Sequence, residues 1–368
     1  MLTRLLRIHL PPGIAVVLCG LIVCATLTAG LWPVHAPENR VQWVPREHAL
    51  RFIRYGTALS PDRIAQYAGG DCSVEVWLKP AVVWTLGSIV SWYDRQSGRQ
   101  FSVQQDYTDL VLRLDSGTRR NGDSQWRVND LLRKPELFVT VTTNGRNVAL
   151  YVDGALVASS SSFDLTAQML ASQLILANSP RRNNAWPGEL KGLVIYGSQL
   201  SPEEVAKHYR EWTLPGTPVI QSAEQPLALY RFSERGGNVI HNEVPGGVDL
   251  EIPEKFVVVD QVRFESPVSE FRIDQSYFKD AIINVLGFIP LGFLFCLYFG
   301  GVRGMKHAGL LAIMVGALVS LTIESAQAFL PTRYSGVTDL ITNTIGTAVG
   351  VVVYRGSRWL VARSNQPS

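Results

Sequence analysis

Four apolar runs narrow the folds open to this chain more than any other feature of its sequence. Gly13–Trp32 carries no charge, and Ala281–Gly301, Ala308–Leu330 and Leu340–Tyr354 follow near the C-terminus. A helix needs roughly 20 apolar residues, at about 1.5 Å rise each, to cross the hydrocarbon core of a bilayer. Pro33–Lys279, between the first run and the second, has the opposite character and is rich in Trp, Tyr, Arg and Asp. Across 368 residues this pattern implies two or three domains, with a soluble one set between membrane spans.

The net charge of +3 gives no reason to expect nucleic acid as a partner, but the placement of the basic residues carries a topology. Arg4 and Arg7 precede the first run, Arg303 and Lys306 separate the second from the third, and Arg355, Arg358 and Arg363 follow the fourth. None of these segments holds an Asp or Glu, so all three are expected on the cytoplasmic side. Both termini are then cytoplasmic, while the long insert and the Pro331–Thr338 loop face outward. The first run exceeds the roughly 7–15 residues of a cleaved signal's apolar core. It reads as a retained anchor, although Val34-His35-Ala36 would serve as a cleavage site. Cys19, Cys24 and Cys296 lie within the runs, so Cys72 stands alone in the outer part and no disulfide is expected there. A buried small side chain is the reading favoured for Cys72 over a reactive thiol.

The outer part begins with Pro33 to Gly70, which shows no clear periodicity and is expected to be irregular, with at most one edge strand. Strand signals start at Ser73-Val74-Glu75-Val76-Trp77-Leu78, where polar and apolar residues alternate before Lys79-Pro80. Leu110–Leu114, Leu137–Thr142, Ala149–Val152, Leu174–Leu176 and Gly192–Tyr196 read the same way, and Asp153-Gly154 predicts a tight hairpin into Ala155–Val157. Ser201-Pro202-Glu203-Glu204 has the form of a capping box, followed by Val205, His208, Tyr209 and Trp212 on one helical face. Leu229–Phe232 and Phe256–Val259 are expected as further strands within 213–279, an extra β unit that either completes the sandwich or bridges it to the bilayer, with Tyr277 and Phe278 as interfacial anchors. Many short antiparallel strands predict a sandwich or barrel.

Ser73–Pro80, Tyr151-Val152-Asp153-Gly154 and Trp186–Leu190 through Leu200–Val205 resemble the laminin-G/concanavalin-A-like jelly roll, over about Asp71–Trp212. The resemblance implies a fold that often binds glycans, sometimes with calcium. No Asp-x-Asp-x-Asn-Gly loop is present, so no motif indicates calcium or any other cofactor, and no pair of carboxylates marks a glycosidase. Trp84, Trp92, Trp126 and Trp186 are candidates for stacking on sugars, and equally for the core.

Polar residues inside the C-terminal runs pose the functional question. Asp280-Ala-Ile-Ile-Asn284-Val-Leu-Gly287 and Asp339-Leu-Ile-Thr-Asn343-Thr-Ile-Gly346 share Asp, Ile, Asn and Gly in register. In a helix that spacing puts Asp, Asn and Gly on one face, and predicts two parallel helices as a short repeat. Gly316, Ser320, Glu324 and Gln327 form one face of the third run, with Glu324 on the order of 9 Å from its outer end. Asp280, Asn284, Glu324, Gln327, Arg333, Asp339 and Asn343 are therefore expected as an outward-facing polar pocket, with Gly287, Gly292, Gly346 and Gly350 permitting close helix packing. Pro290 is expected to bend its helix. A structural reading stands beside this one. Asp favours a helix N-terminus, Asn amides bind helices together, and Glu324 can pair with Arg333.

Asp280-x3-Asn284, Phe288-Ile289-Pro290-Leu291-Gly292, Ile323-Glu324-x2-Gln327, Arg333, Asp339-x3-Asn343 and Gly346-x3-Gly350 resemble the VanZ-like family of small membrane proteins. That family is associated with teicoplanin resistance, and the resemblance implies a multi-pass protein of a bacterial cytoplasmic membrane and a place in the cell envelope. The expected fold is thus an all-α bundle of four membrane helices with an all-β jelly roll inserted after the first. The expected partners are the bilayer, a glycan or envelope polymer, and an amphiphile such as a lipid-linked precursor. In that reading Glu324 and Arg333 set the charge, and Asn284, Gln327 and Asn343 orient a head group. Two alternatives remain open: an intramembrane enzyme using Asp280, Glu324 and Asp339 as acid and base, without a nucleophile motif or metal cluster, and a purely structural anchor.

Overall fold

The computed structural model describes residues 11–67, 69–116, 123–163, 165–214, 226–267 and 275–363. Arg4 and Arg7 and the segments 215–225 and 268–274 lie outside them. The chain divides into two compact units, Ala36–Gln261 and the combination of Met1–His35 with Val262–Ser368.

Among the described residues, the first unit is a sandwich of two eight-stranded sheets. Its strands are β1 (Val41–Val44), β2 (Ala49–Phe52), β3 (Ala58–Arg63), β4 (Cys72–Pro80), β5 (Leu86–Tyr93), β6 (Gln100–Asp106), β7 (Asp109–Asp115) and β8 (Ser124–Val128). They continue with β9 (Leu137–Thr143), β10 (Val148–Val152), β11 (Ala155–Ser160), β12 (Gln173–Leu176), β13 (Gly188–Tyr196), β14 (Pro226–Tyr230), β15 (Val239–Ile240) and β16 (Leu250–Glu251). One sheet runs β1-β2-β13-β4-β9-β10-β11, with β14 also paired to β13; the other runs β15-β16-β3-β12-β5-β6-β7-β8. Val74, Val76 and Leu78 of β4 face Trp92, Phe101, Val103 and Leu112 across the interior, as the period of two requires. The hairpin turn falls at Asp153-Gly154, where both residues have positive φ and Val152 pairs with Ala155.

The opposite face of the first sheet is covered by helix α2 (Pro202–Thr213). Its capping box closes as expected, with Ser201 Oγ accepting from the Glu204 amide and Glu204 Oε2 accepting from the Ser201 amide. Val205 and Trp212 of α2 pack on Phe138, Tyr151, Val194 and Tyr196. Glu75 alternates to this side of β4 and lies sealed beneath the helix. Both its oxygens are 3.1 Å from His208 Nδ1, and the Tyr196 hydroxyl donates to Oε2 at 3.1 Å.

Two stretches of this unit depart from the sequence expectation. The stretch 33–70 carries β1, β2 and β3 rather than an irregular connector. Leu50, Phe52 and Ala58 enter the core, and burial of these short segments replaces the periodicity they lack. Phe256–Val259 is no strand. Phe256 is buried against Tyr55, and its amide bonds to the Pro37 carbonyl, while Val257 accepts from Asn178, so single bonds to separate loops take the place of a ladder. The segment after α2 completes both sheets, β14 in one and β15–β16 in the other, which is the first of its two expected roles.

Cys72 is fully buried at the start of β4, and burial pushes its thiol up to about 12. The thiolate is the nucleophile, so from the ordinary value of 9.0 the reactive fraction near pH 8 falls by about a thousand. Iodoacetamide labelling of Cys72 in the folded chain should be slower than in denaturant by at least that factor. Equal rates would contradict its placement.

The second unit holds α1 (Pro12–Leu31), α3 (Gln275–Cys296), α4 (Ala308–Gln327) and α5 (Val337–Arg363). All four are long and apolar enough to cross a membrane. α3 contains Pro290 and continues into a π-helical turn at Leu297–Val302. α4 stops at Gln327, ahead of Leu330-Pro331, where the residue before proline disfavours helix. α5 runs on through Arg355 and Arg358 to Arg363, beyond the expected end near residue 354, and the segment Arg355–Arg363 contains no proline to stop it.

α3 and α5 run parallel and touch at their backbones. A Cβ at Gly292 would collide with the Thr347 carbonyl, one at Gly346 with that of Val285, and one at Gly350 with that of Ile289. Gly287 has open space around it. α4 runs antiparallel to α5, with Gly316 against Thr347 and Gly309 against Val351. Ile22, Val23, Leu27 and Leu31 of α1 pack on Phe288, Leu291, Val319 and Ile323, so the first helix is part of the bundle core.

A polar site at one end of the helical bundle

The polar residues of the bundle gather where α1 and α4 end and α3 and α5 begin. Glu324, on the last turn of α4, is 1% exposed, and its Oε2 accepts from the Gly336 amide at 2.9 Å. Gly336 belongs to the loop ahead of α5. That loop is pinned by the chain returning from the sandwich: the Glu265 amide donates to the Ser335 carbonyl, and the Val337 amide donates to the Glu265 carbonyl, each at 3.0 Å. A bond from a fixed backbone amide holds the Glu324 carboxyl group in one orientation.

One turn deeper, Asn343 Nδ2 donates to Ser320 Oγ at 3.0 Å, and Thr347 Oγ1 donates to the Asn343 carbonyl at 3.0 Å. Asn284 Nδ2 donates to Asp339 Oδ1 at 2.7 Å, joining the openings of α3 and α5. Gln327 Nε2 donates to the Gly30 carbonyl at 2.8 Å, and Arg333 donates to the Trp32 carbonyl, so both tie to the end of α1. Asp280 differs from the rest. It stands exposed on α3.

The two halves of the repeat therefore act differently. Asn284 reaches to α5, and Asn343 reaches to α4, because each faces another neighbour. Ser335, Gly336, Gly30 and Glu265 also take part and were not singled out in the sequence, since all four contribute backbone groups. Asn343 Oδ1, Thr332 Oγ1 and Ser335 Oγ are buried without a hydrogen-bond partner among the described residues. Each such atom costs about 1–3 kcal/mol unless a polar group meets it. Among the described residues, no group of three or more His, Cys, Asp or Glu side chains could hold a metal ion.

In the sandwich the four tryptophans separate by environment. Trp92 and Trp186 are fully buried, Trp126 is half-buried against Phe163, and Trp84 is 71% exposed.

Two family models match the sequence: VanZ/LLP1 over residues 220–361, and the concanavalin A-like lectin/glucanases superfamily over residues 55–206. No curated protein matches it significantly. Among solved structures, the binding domain of botulinum neurotoxin DC in complex with rat synaptotagmin II is 16% identical, covering 48% of this chain and 46% of that one, with a TM-score of 0.36. The Ruminococcus gnavus IT-sialidase CBM40 bound to alpha2,3 sialyllactose is 14% identical over 38% of this chain and 83% of its own, with a TM-score of 0.32. The chain thus spans less than half the length of the neurotoxin domain, and these likenesses are too partial to bear on function. The chain carries a VanZ-type helical segment and a concanavalin A-like domain, the latter set between α1 and the three helices that follow.

Proposed function

We propose that this is a multi-pass cell-envelope protein whose β-sandwich holds a glycan or envelope polymer outside the membrane, and whose helical bundle offers a polar site to an amphiphile such as a lipid-linked precursor. The buried Glu324 side chain, at the same end of the bundle as the unpartnered Asn343 Oδ1, Thr332 Oγ1 and Ser335 Oγ, carries the reading for the bundle. A carboxylate inside a membrane costs about 2.5–3.5 kcal/mol on insertion scales, which pure helix glue does not require. The Asn284–Asp339 and Asn343–Ser320 bonds serve as glue at about 0.6–2 kcal/mol each, yet they leave those three acceptors unused. A head group with hydroxyl or amide donors would satisfy them.

An acid–base trio finds less support. Asp280 is exposed, Asp339 is engaged by Asn284, and Glu324 is held by the Gly336 amide. Binding accounts for this arrangement better than catalysis. The basic residues in the last turns of α5 and between α3 and α4 support a cytoplasmic location for that end of the bundle. The glycan half of the proposal is tested by pulling down cell-wall and exopolysaccharide fractions with the full chain. Retention of at least one fraction is expected, and retention of none counts against it.

A further inference from the structure

The loop between β4 and β5 presents Trp84 beside Tyr107, which sits in the two-residue turn between β6 and β7. The ring centroids are 5.9 Å apart, and Trp84 and Tyr107 are 71% and 48% exposed. A buried glutamine builds this surface from within. Gln105 Nε2 lies 2.9, 3.2 and 2.8 Å from the carbonyls of Val82, Val83 and Tyr107, and its Oε1 accepts from Trp186 Nε1 at 2.7 Å. The Tyr107 amide donates to the Thr85 carbonyl at 2.8 Å, which joins loop and turn directly. Tyr107 is held at φ 55°, a left-handed conformation in which a bulky aromatic residue is strained. The backbone that carries both rings is thus held, and the rings are left open to solvent.

From this geometry we infer that Trp84 and Tyr107 form a stacking platform for a neutral sugar residue, with the neighbouring Asp106–Arg127 pair as its polar rim. The inference rests on the glycan reading above and gives that reading a place. A pyranose offers an apolar C–H face to an aromatic ring and hydroxyls at its edge. Asp106 lies opposite Leu86 in the sheet and pairs with Arg127, which also contacts Asp109 at 2.8 Å. The Asp130 amide and Arg127 together hold the Asp109 carboxyl below its ordinary range, so Asp109 stays ionised beside Arg127 in mild acid.

Two carboxylates share one guanidinium, which leaves no surplus cation for an acidic polymer or anionic lipid. The exposed apolar side chains, Val82, Trp84, Leu86 and Tyr107, are too few for the roughly 800 Å² that a stable protein partner covers. At the other end of β5, Tyr93 bonds to Asp260 just before the chain leaves the sandwich, so the platform lies at the far end of that strand.

The test uses the full chain in lipid nanodiscs and measures binding of cello-, malto- and chito-oligosaccharides, with alginate as the anionic comparison. Binding of at least one neutral oligosaccharide is expected. Trp84→Ala should weaken it about tenfold or more, Tyr107→Phe should preserve it, and Leu156→Ala on β11 should leave it unchanged. If the wild type binds but Trp84→Ala and Tyr107→Gly bind equally well, the platform is wrong and the glycan reading survives. If no glycan binds, both fall. Quenching of tryptophan fluorescence by brominated lipid that disappears in Trp84→Phe would assign the loop to the bilayer and overturn the inference.

Discussion

Replacing His208 with alanine should destabilise the β-sandwich by about 3–5 kcal/mol, the usual cost of stripping the partner from a buried charge. Glu75 lies on the helix-covered face of β4, and neither it nor His208 has side-chain surface open to solvent. The imidazole meets both carboxylate oxygens at 3.1 Å, and Tyr196 adds a third bond. Without His208 the carboxyl group keeps Tyr196 and a longer 3.5 Å contact from Thr140, and loses the imidazole that meets both its oxygens beneath the helix. Replacing both Glu75 and His208 with leucine should recover much of the loss, because the uncompensated charge is gone. Denaturant unfolding of the full chain, followed through the buried Trp92 and Trp186, measures both changes. A loss under about 1 kcal/mol for His208→Ala would show that the pair is not sealed.

A side chain at Gly292 should be comparably damaging in the other unit, by about 3 kcal/mol, at or beyond the upper end of ordinary overpacking. The obstacle there is the Thr347 carbonyl, which cannot rotate away as a side chain can, so α3 and α5 must separate. Gly287→Leu, five residues earlier on the same helix, meets nothing within 4 Å and should be tolerated. The buried thiols of Cys19 and Cys296 give a direct readout, since a thiol-reactive dye labels them only as the bundle opens. Gly292→Leu should bring labelling to much lower temperature than Gly287→Leu. Equal behaviour would mean that the helices do not cross at these glycines.

Sequence patterns reported local structure well where the cause is local. The capping box at Ser201 and the Asp153-Gly154 turn depend on neighbouring residues, and both form as read. β5 has seven buried residues out of eight, so its two faces show no contrast and the alternation that marks a strand is missing. β2 and β3 were hidden for a related reason, because their pairing with β13 and β12 comes from residues more than 100 positions away.

The candidate site divides in the same way. That Asp339, Asn343, Glu324 and Gln327 lie near one end of the bundle follows from helical spacing and span direction. Which group each one meets does not, because Gly30, Gly336 and Ser335 offer backbone atoms that leave no mark in the sequence. Asp280 and Asp339 open identical motifs, yet one is exposed and the other is bonded to Asn284, so the shared pattern fixed a face and not a partner. The four tryptophans were equivalent until burial separated Trp84 from the others.

Native mass spectrometry of the full chain released from bacterial membranes tests the central claim most directly. If Glu324 and Asn343 frame a site for an amphiphile, the wild type should retain a defined lipid-linked species, and Glu324→Gln should lose it while remaining folded. Identical adducts on the two proteins, or only bulk phospholipid on both, would contradict the claim and leave the polar cluster as helix-binding structure alone.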